Sequence, residues 1–473
     1  MELLALGGTL LGGLGFVGLA FLGGNQEPTI EPGVFSVVDL DQCMQVQNCF
    51  YQNSLSPYSR VVLVDLRTLL LKPDPGLTAL DQYFGAFLLS PNQALVMIGP
   101  APTSRYYSWT PYLWRTGTRP SAAALIAEQN GVTNAGITER GAISFSSLTQ
   151  GVNNFDYPNA SLLAVVVTRN QNVFNREKQR ILSVQPNATC IPLWIPNQAP
   201  VNAPLTVLVR TAFFLGNTYE NFIANPGFTT YRSTYPNIGF SPTQAVLPGQ
   251  DPKKVPLGVL PIIFKTPPLE PSELPLENQF GNYVNNILKT YTVVQEIPVA
   301  PAFVNQYGFL LQTGYDCIRN GVNCAGDTGD TFYIPSDDFT TEQTQSILVL
   351  AVNHTTTQRA FYSSITIYDN DIKYGFDSEI PAENNLYYNV LFSYGAGSFR
   401  IIERGYVQLP ENIGADPRTI VHMRVFVVRT PLGVIPIDRN NPATNTHTVV
   451  ESKIPLNANT PGLTDVAMIE RNR

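Results

Sequence analysis

The residues of this chain best equipped for chemistry fall between positions 314 and 355. Gly314-Tyr315-Asp316-Cys317 leads to Cys324-Ala325-Gly326-Asp327 and Asp330-Thr331, and Val352-Asn353-His354-Thr355 follows. Asp316, Asp327 and Asp330, two thiols and one of only three histidines share a span rich in strand formers. Asp316, Asp327 and Asp330 on a glycine-rich loop could gather round a hard cation, and calcium is the one that takes many oxygens on a flexible loop. The spacing is not that of an EF-hand, and the same aspartates could instead cap turns by accepting backbone amides. His354, at the end of an apolar run, could act as a general base if one of these carboxylates orients its ring. It could equally be a polar residue that closes off a sheet.

Other catalytic signatures are missing. The chain has no Gly-x-Ser-x-Gly elbow, Walker A loop or His-Glu-x-x-His. Carboxylate-pair glycosidase chemistry leaves no local signature and stays open. Tyr106, Tyr107 and Trp109, in a stretch that continues to Tyr112 and Trp114, form a weaker ligand-binding candidate that could stack on sugar rings. They could also be the core of a sheet. Zinc is disfavoured by the cysteine spacing and the scarcity of histidine, so calcium is the sole cofactor candidate.

The elements that would position these groups belong to an exported, β-rich body. Only 14 % of residues are charged, while 38 prolines, 35 glycines and 11 % aromatics indicate many turns and strands rather than disorder. A net charge of −7 without a Lys/Arg cluster argues against nucleic acid. Residues 3–24 carry no charge and are long enough to cross a bilayer. They read as a signal anchor, a cleaved signal peptide ending near Gly18-Leu19-Ala20, or a buried glycine-rich segment. The cysteines form two short-range pairs, Cys43 with Cys49 and Cys317 with Cys324, as expected of disulfide staples in an oxidising compartment, with Cys190 left over. Reduced, buried thiols are the alternative. Asn159, Asn187 and Asn353 each begin an Asn-x-Ser/Thr acceptor for N-glycans, which matters only if the chain enters a eukaryotic secretory pathway.

Along the chain, residues 25–58 read as a linker and 59–241 as an α+β domain. Its strands are expected at 60–67, 94–99, 162–168 and 205–210, with helices at 121–131 and 172–182. Residues 242–275 hold nine prolines and read as a second linker. Residues 276–430 read as a β-rich domain covered by an amphipathic helix over 276–291, and 431–473 as an irregular tail. The fold class expected is β-rich α+β, α/β-like in its first half and like an antiparallel β-sandwich in its second.

The motifs around Asp316, Cys317, Cys324, Asp327 and Asp330, with Val352 to Tyr362, resemble a group of uncharacterised exported proteins, mostly bacterial. Arg105-Tyr106-Tyr107-Ser108-Trp109, Leu162–Thr168 and Glu403-Arg404-Gly405-Tyr406 share in that resemblance, which spans residues 60–430. Arg105-Tyr106-Tyr107-Ser108 is also similar to the β-rich domain-of-unknown-function 1254/1214 proteins. The proline-rich segment and the long apolar N-terminus depart from the pattern. The resemblance implies export and a β-rich fold, and it transfers no catalytic residue. Three functions are therefore expected to compete. The first is a membrane-tethered or secreted surface protein, of a cell or virion, that binds a partner or a glycan. The others are an exported hydrolase using His354 and a purely structural envelope component.

Overall fold

A computed structural model describes residues 27–38, 57–65, 85–116, 143–147, 157–197, 203–215, 218–243, 273–299, 331–353, 362–370, 374–379, 386–406, 423–431, 447–453 and 466–471, with short pieces at 52–53, 70–71, 74–75, 77, 81, 152–153, 199 and 201. They form two compact units. In chain order the first strands are β1 (Thr29–Val37), β2 (Gln52–Asn53), β3 (Tyr58–Asp65), β4 (Leu70–Leu71), β5 (Gln93–Pro100), β6 (Ser104–Thr116), β7 (Ile143–Ser147) and β8 (Val152–Asn153). Then come β9 (Leu162–Thr168), helix α1 (Gln171–Val184), β10 (Thr189–Trp194), β11 (Leu205–Phe214), helix α2 (Thr218–Ala224) and β12 (Thr229–Thr234). All but β2 belong to the first unit.

These strands make one sheet in the order β10-β9-β5-β12-β1-β3-β11-β6-β7, with β4 and β8 as side branches. Only β9 and β10 run parallel, and α1 is the crossover between them; every other pairing in this sheet is antiparallel. β9 is apolar throughout because both its faces are buried. Leu163, Val165 and Val167 join a core with Phe35, Leu95, Met97, Trp109 and Val207. Ala164 and Val166 face Val173, Phe174 and Ile181 of α1.

β1 lies inside the stretch read from sequence as a linker. Glu31, Pro32 and Gly33 interrupt its alternation, and a proline argues against a central strand. The strand nonetheless pairs on both sides, with β12 and with β3.

Besides β2, the second unit holds helix α3 (Glu273–Leu288), β13 (Val293–Ile297), β14 (Thr331–Pro335), β15 (Phe339–Thr341), β16 (Gln345–Val352), β17 (Tyr362–Asp369) and β18 (Tyr374–Glu379). β19 (Tyr387–Phe392), β20 (Gly397–Tyr406), β21 (Met423–Arg429), β22 (His447–Lys453) and β23 (Val466–Arg471) complete it. One sheet runs β13-β21-β16-β19-β22-β23, the other β14-β20-β17-β18-β2 with β15 beside β20. β22 and β23 pair within the span read as an irregular tail. Helix α3 lies on the first of these sheets. Phe280, Tyr283 and Val284 pack on Leu348, Leu350, Val352, Leu391 and Phe426, and Asn389 Nδ2 donates to the Tyr283 hydroxyl (3.0 Å). The chain is a β-rich α+β protein.

Candidate functional site

The residues singled out from sequence fall in three groups. Asp316, Asp327, Asp330, His354, Cys43, Cys49, Cys317 and Cys324 lie outside the described residues, as do residues 1–26 and the helix expected at 121–131. Tyr106, Tyr107 and Trp109 fall in β6 and are buried, at 0, 5 and 0 % exposure. Their rings belong to the sheet interior and present no stacking face to solvent, which corrects the surface reading. Among the acceptor asparagines, Asn159 and Asn187 are exposed on turns. Asn353 is 1 % exposed, and its backbone N–H donates to the Leu386 carbonyl (2.8 Å).

A fully buried polar constellation among the described residues is one the sequence reading passed over. Helix α1 buries Glu177 completely. Its Oε2 accepts from Arg180 Nε (3.1 Å) and Nη2 (2.9 Å) and from the Tyr231 hydroxyl (3.2 Å), and Oε1 accepts from the Tyr235 hydroxyl (2.8 Å). The Arg180 guanidinium lies 4.6 Å over the Tyr231 ring. Burial, reinforced by the charge of Glu177, pushes both phenols well above their ordinary range. Burial pulls Arg180 down, but Glu177 and the phenols outweigh it and hold the guanidinium firmly charged. The signal was present: position 177 sits four residues from Val173 and from Ile181, on the stripe that faces the sheet. Cys190 of β10 packs against the apolar core between α1 and the sheet, and burial raises its thiol.

The N-terminus of α1 is closed by the chain itself. Asn170 Oδ1 accepts from Asn172 N (3.0 Å) and Ser241 N (3.0 Å), while its Nδ2 donates to the carbonyls of Pro91 (2.9 Å) and Gly239 (3.2 Å). Gln171 N in turn donates to the Ser241 carbonyl (2.9 Å). Residues 239–241 thus occupy the place where helix dipole and exposed N–H groups would otherwise attract an anion.

A second ion cluster ties β12 to its neighbours. Arg232 Nη1 and Nη2 reach Asp74 Oδ2 and Oδ1 (2.7 Å each), Nε reaches Glu31 Oε2 (2.7 Å), and Nη1 also donates to the Leu88 carbonyl (3.0 Å). Both clusters match guanidinium to carboxylate inside the fold, so their chemistry is that of internal cross-links. Among the described residues no three His, Cys, Asp or Glu side chains gather as a metal site. No described helix is long and apolar enough to cross a membrane.

No family model and no curated protein matches the chain. Among solved structures, the N-terminal CBM22-1-CBM22-2 tandem domain from Paenibacillus barcinonensis Xyn10C aligns at 5 % identity and a TM-score of 0.13, covering 79 % of this chain and 87 % of that one. A similarity that low carries no argument about fold or function.

Proposed function

We propose that the chain is a surface protein, tethered to a membrane through residues 3–24 or secreted, whose β-rich body binds a partner protein or a glycan. The observation that carries this reading is the charge-free run of residues 3–24 set directly ahead of a β-rich body whose first strand begins at Thr29. The two short-range cysteine pairs and the resemblance to exported proteins support it. The loop bearing Asp316, Asp327 and Asp330 could add a calcium to such a body.

The finer architecture belongs to the same proposal. The two sheets of the second unit pack face to face as a sandwich, with α3 on the outer side of one. Tyr388 of β19 supports this: burial, and then the carboxylate of Glu403 from β20 in the other sheet, push its phenol well up.

The test is topological. The full chain, produced in cells, is expected in the membrane fraction or the medium, with its body digested by an externally added, impermeant protease. Recovery as a soluble protein inside the cell, with Cys43, Cys49, Cys317 and Cys324 all reduced, would overturn the proposal.

A further inference from the structure

The two exposed acceptor asparagines sit in the same local structure. Tyr157-Pro158-Asn159-Ala160-Ser161 and Gln185-Pro186-Asn187-Ala188-Thr189 share the run Pro-Asn-Ala followed by a hydroxyl residue. Each is a tight turn: Ala160 N donates to the Tyr157 carbonyl (3.2 Å), and Ala188 N to the Gln185 carbonyl (3.0 Å). In both, proline fixes the second turn position and asparagine occupies the third, where its side chain projects to water.

The topology then brings the turns together. One feeds β9 and the other β10, and these are the parallel pair. Both turns therefore lie at the same end of adjacent strands. Thr189 is in register with Leu163, which sets Asn187 level with Ser161, two residues from Asn159. β10 ends the strand order of its sheet, so this corner belongs to an edge. Asn353 contrasts at every point, being buried and held against Leu386.

We infer that Asn159 and Asn187 form a paired N-glycosylation site that carries two oligosaccharides at the start of the β10 edge, and that Asn353 stays unmodified. In the transfer, Asn Nδ2 bonds to the anomeric carbon of an oligosaccharide supplied as a lipid-linked diphosphate. The anomeric C–O bond breaks, the lipid diphosphate leaves with its electron pair, and the amide nitrogen gives up one proton. An exposed turn allows this because Nδ2 and the hydroxyl two residues on are both within a transferase's reach. Two glycans there would stand over an edge strand, which is a liability that proteins commonly cover. The inference rests on the export reading above.

The full chain translated with microsomes separates the two ideas. With its own N-terminus, protection from added protease tests export, and a chain left fully digestible counts against that reading alone. Behind an added cleavable signal peptide, the protected chain is expected to show two mobility steps removed by peptide-N-glycosidase. Asn159→Gln and Asn187→Gln should each abolish one step, and Asn353→Gln neither. A protected chain with fewer than two steps, or with a step that depends on Asn353, overturns the inference.

Discussion

At the scale of single residues, Glu177 is a carboxylate with no exposed surface, held by one guanidinium and two phenols. Removing one partner of a buried pair costs more than the pair contributes, because the remaining charge stays in a poorly solvated place. Arg180→Ala is therefore expected to lower stability by about 3 kcal/mol, the lower end of the range for broken buried pairs because both phenols remain. Urea denaturation measures it, and a loss below about 1 kcal/mol would mean that Glu177 is solvated after all. The phenols give a second prediction with a definite sign. Tyr231, Tyr235 and Tyr388 are raised in the folded state, mainly by burial. The folded chain thus keeps protons that the unfolded chain sheds near the ordinary phenol value of about 10. Their stabilising contribution is complete below that pH and is lost as pH climbs towards the folded values, at up to about 1.4 kcal/mol per pH unit for each tyrosine. Absorbance near the phenolate band should show these tyrosines ionising together with unfolding. Smooth titration of every tyrosine in the folded chain would contradict the burial.

At the scale of elements, the crossover helix is the most instructive. Strand β9 and helix α1 were legible because β9 is apolar from Leu162 to Val167 and Val173, Phe174 and Ile181 recur at helical spacing, whereas β10, with Pro192 inside it, was not, and the sequence places the next strand only at 205–210. The stripe of α3 was legible for the same reason, through Phe280, Val284, Ile287 and Leu288. The buried polar members of those stripes, Glu177 and Tyr283, were not, since periodicity ranks residues by hydrophobicity and these are buried through their hydrogen bonds. β1 was hidden by Pro32 and Gly33, and its place in mid-sheet is set by partners from distant sequence, at Tyr58–Asp65 and Thr229–Thr234. Of the sequence-derived site, Tyr106, Tyr107 and Trp109 proved to be core because aromatic stretches look alike whether they stack on ligands or on each other. The cap of α1 supplies the prediction at this scale. Asn170→Ala removes the acceptor for Asn172 and Ser241 and strands the carbonyl of Pro91, while the Gly239 carbonyl keeps Asn172 Nδ2 (2.9 Å) as its donor. The lost cap and the buried groups left without partners should together cost about 2–4 kcal/mol. Asn170→Asp keeps the acceptor but sets a negative charge against both carbonyls, so it should rescue little. Equal stability of wild type and the aspartate variant in thermal melts would show that only the cap matters.

At the scale of the whole molecule, chain order and spatial order disagree. β1 and β3 pair with each other in the first unit, yet β2, between them in sequence, lies beside β18 in the second. The chain therefore leaves the first sheet after Val38, contributes a strand to the other unit, and returns at Tyr58. Two of the five cysteines, Cys43 and Cys49, lie within this excursion, and a bond between them would close a loop of only a few residues. Such a cross-link is expected to stabilise by about 2 kcal/mol by restricting the unfolded chain, and the Cys317–Cys324 bond by a similar amount. Cys190 has a different fate, since its half-buried thiol on β10 is raised by burial and so carries little thiolate. Non-reducing peptide mass spectrometry of the native protein is expected to find Cys43–Cys49 and Cys317–Cys324 bonded and Cys190 reduced, alkylating slowly until the chain unfolds. Mild reduction should then lower the denaturation midpoint without touching Cys190. Five reduced cysteines in the native protein would instead place the chain in a reducing compartment. In that case Asp316, Asp327, Asp330 and the two neighbouring thiols would become candidates for metal or redox chemistry rather than a braced extracellular loop.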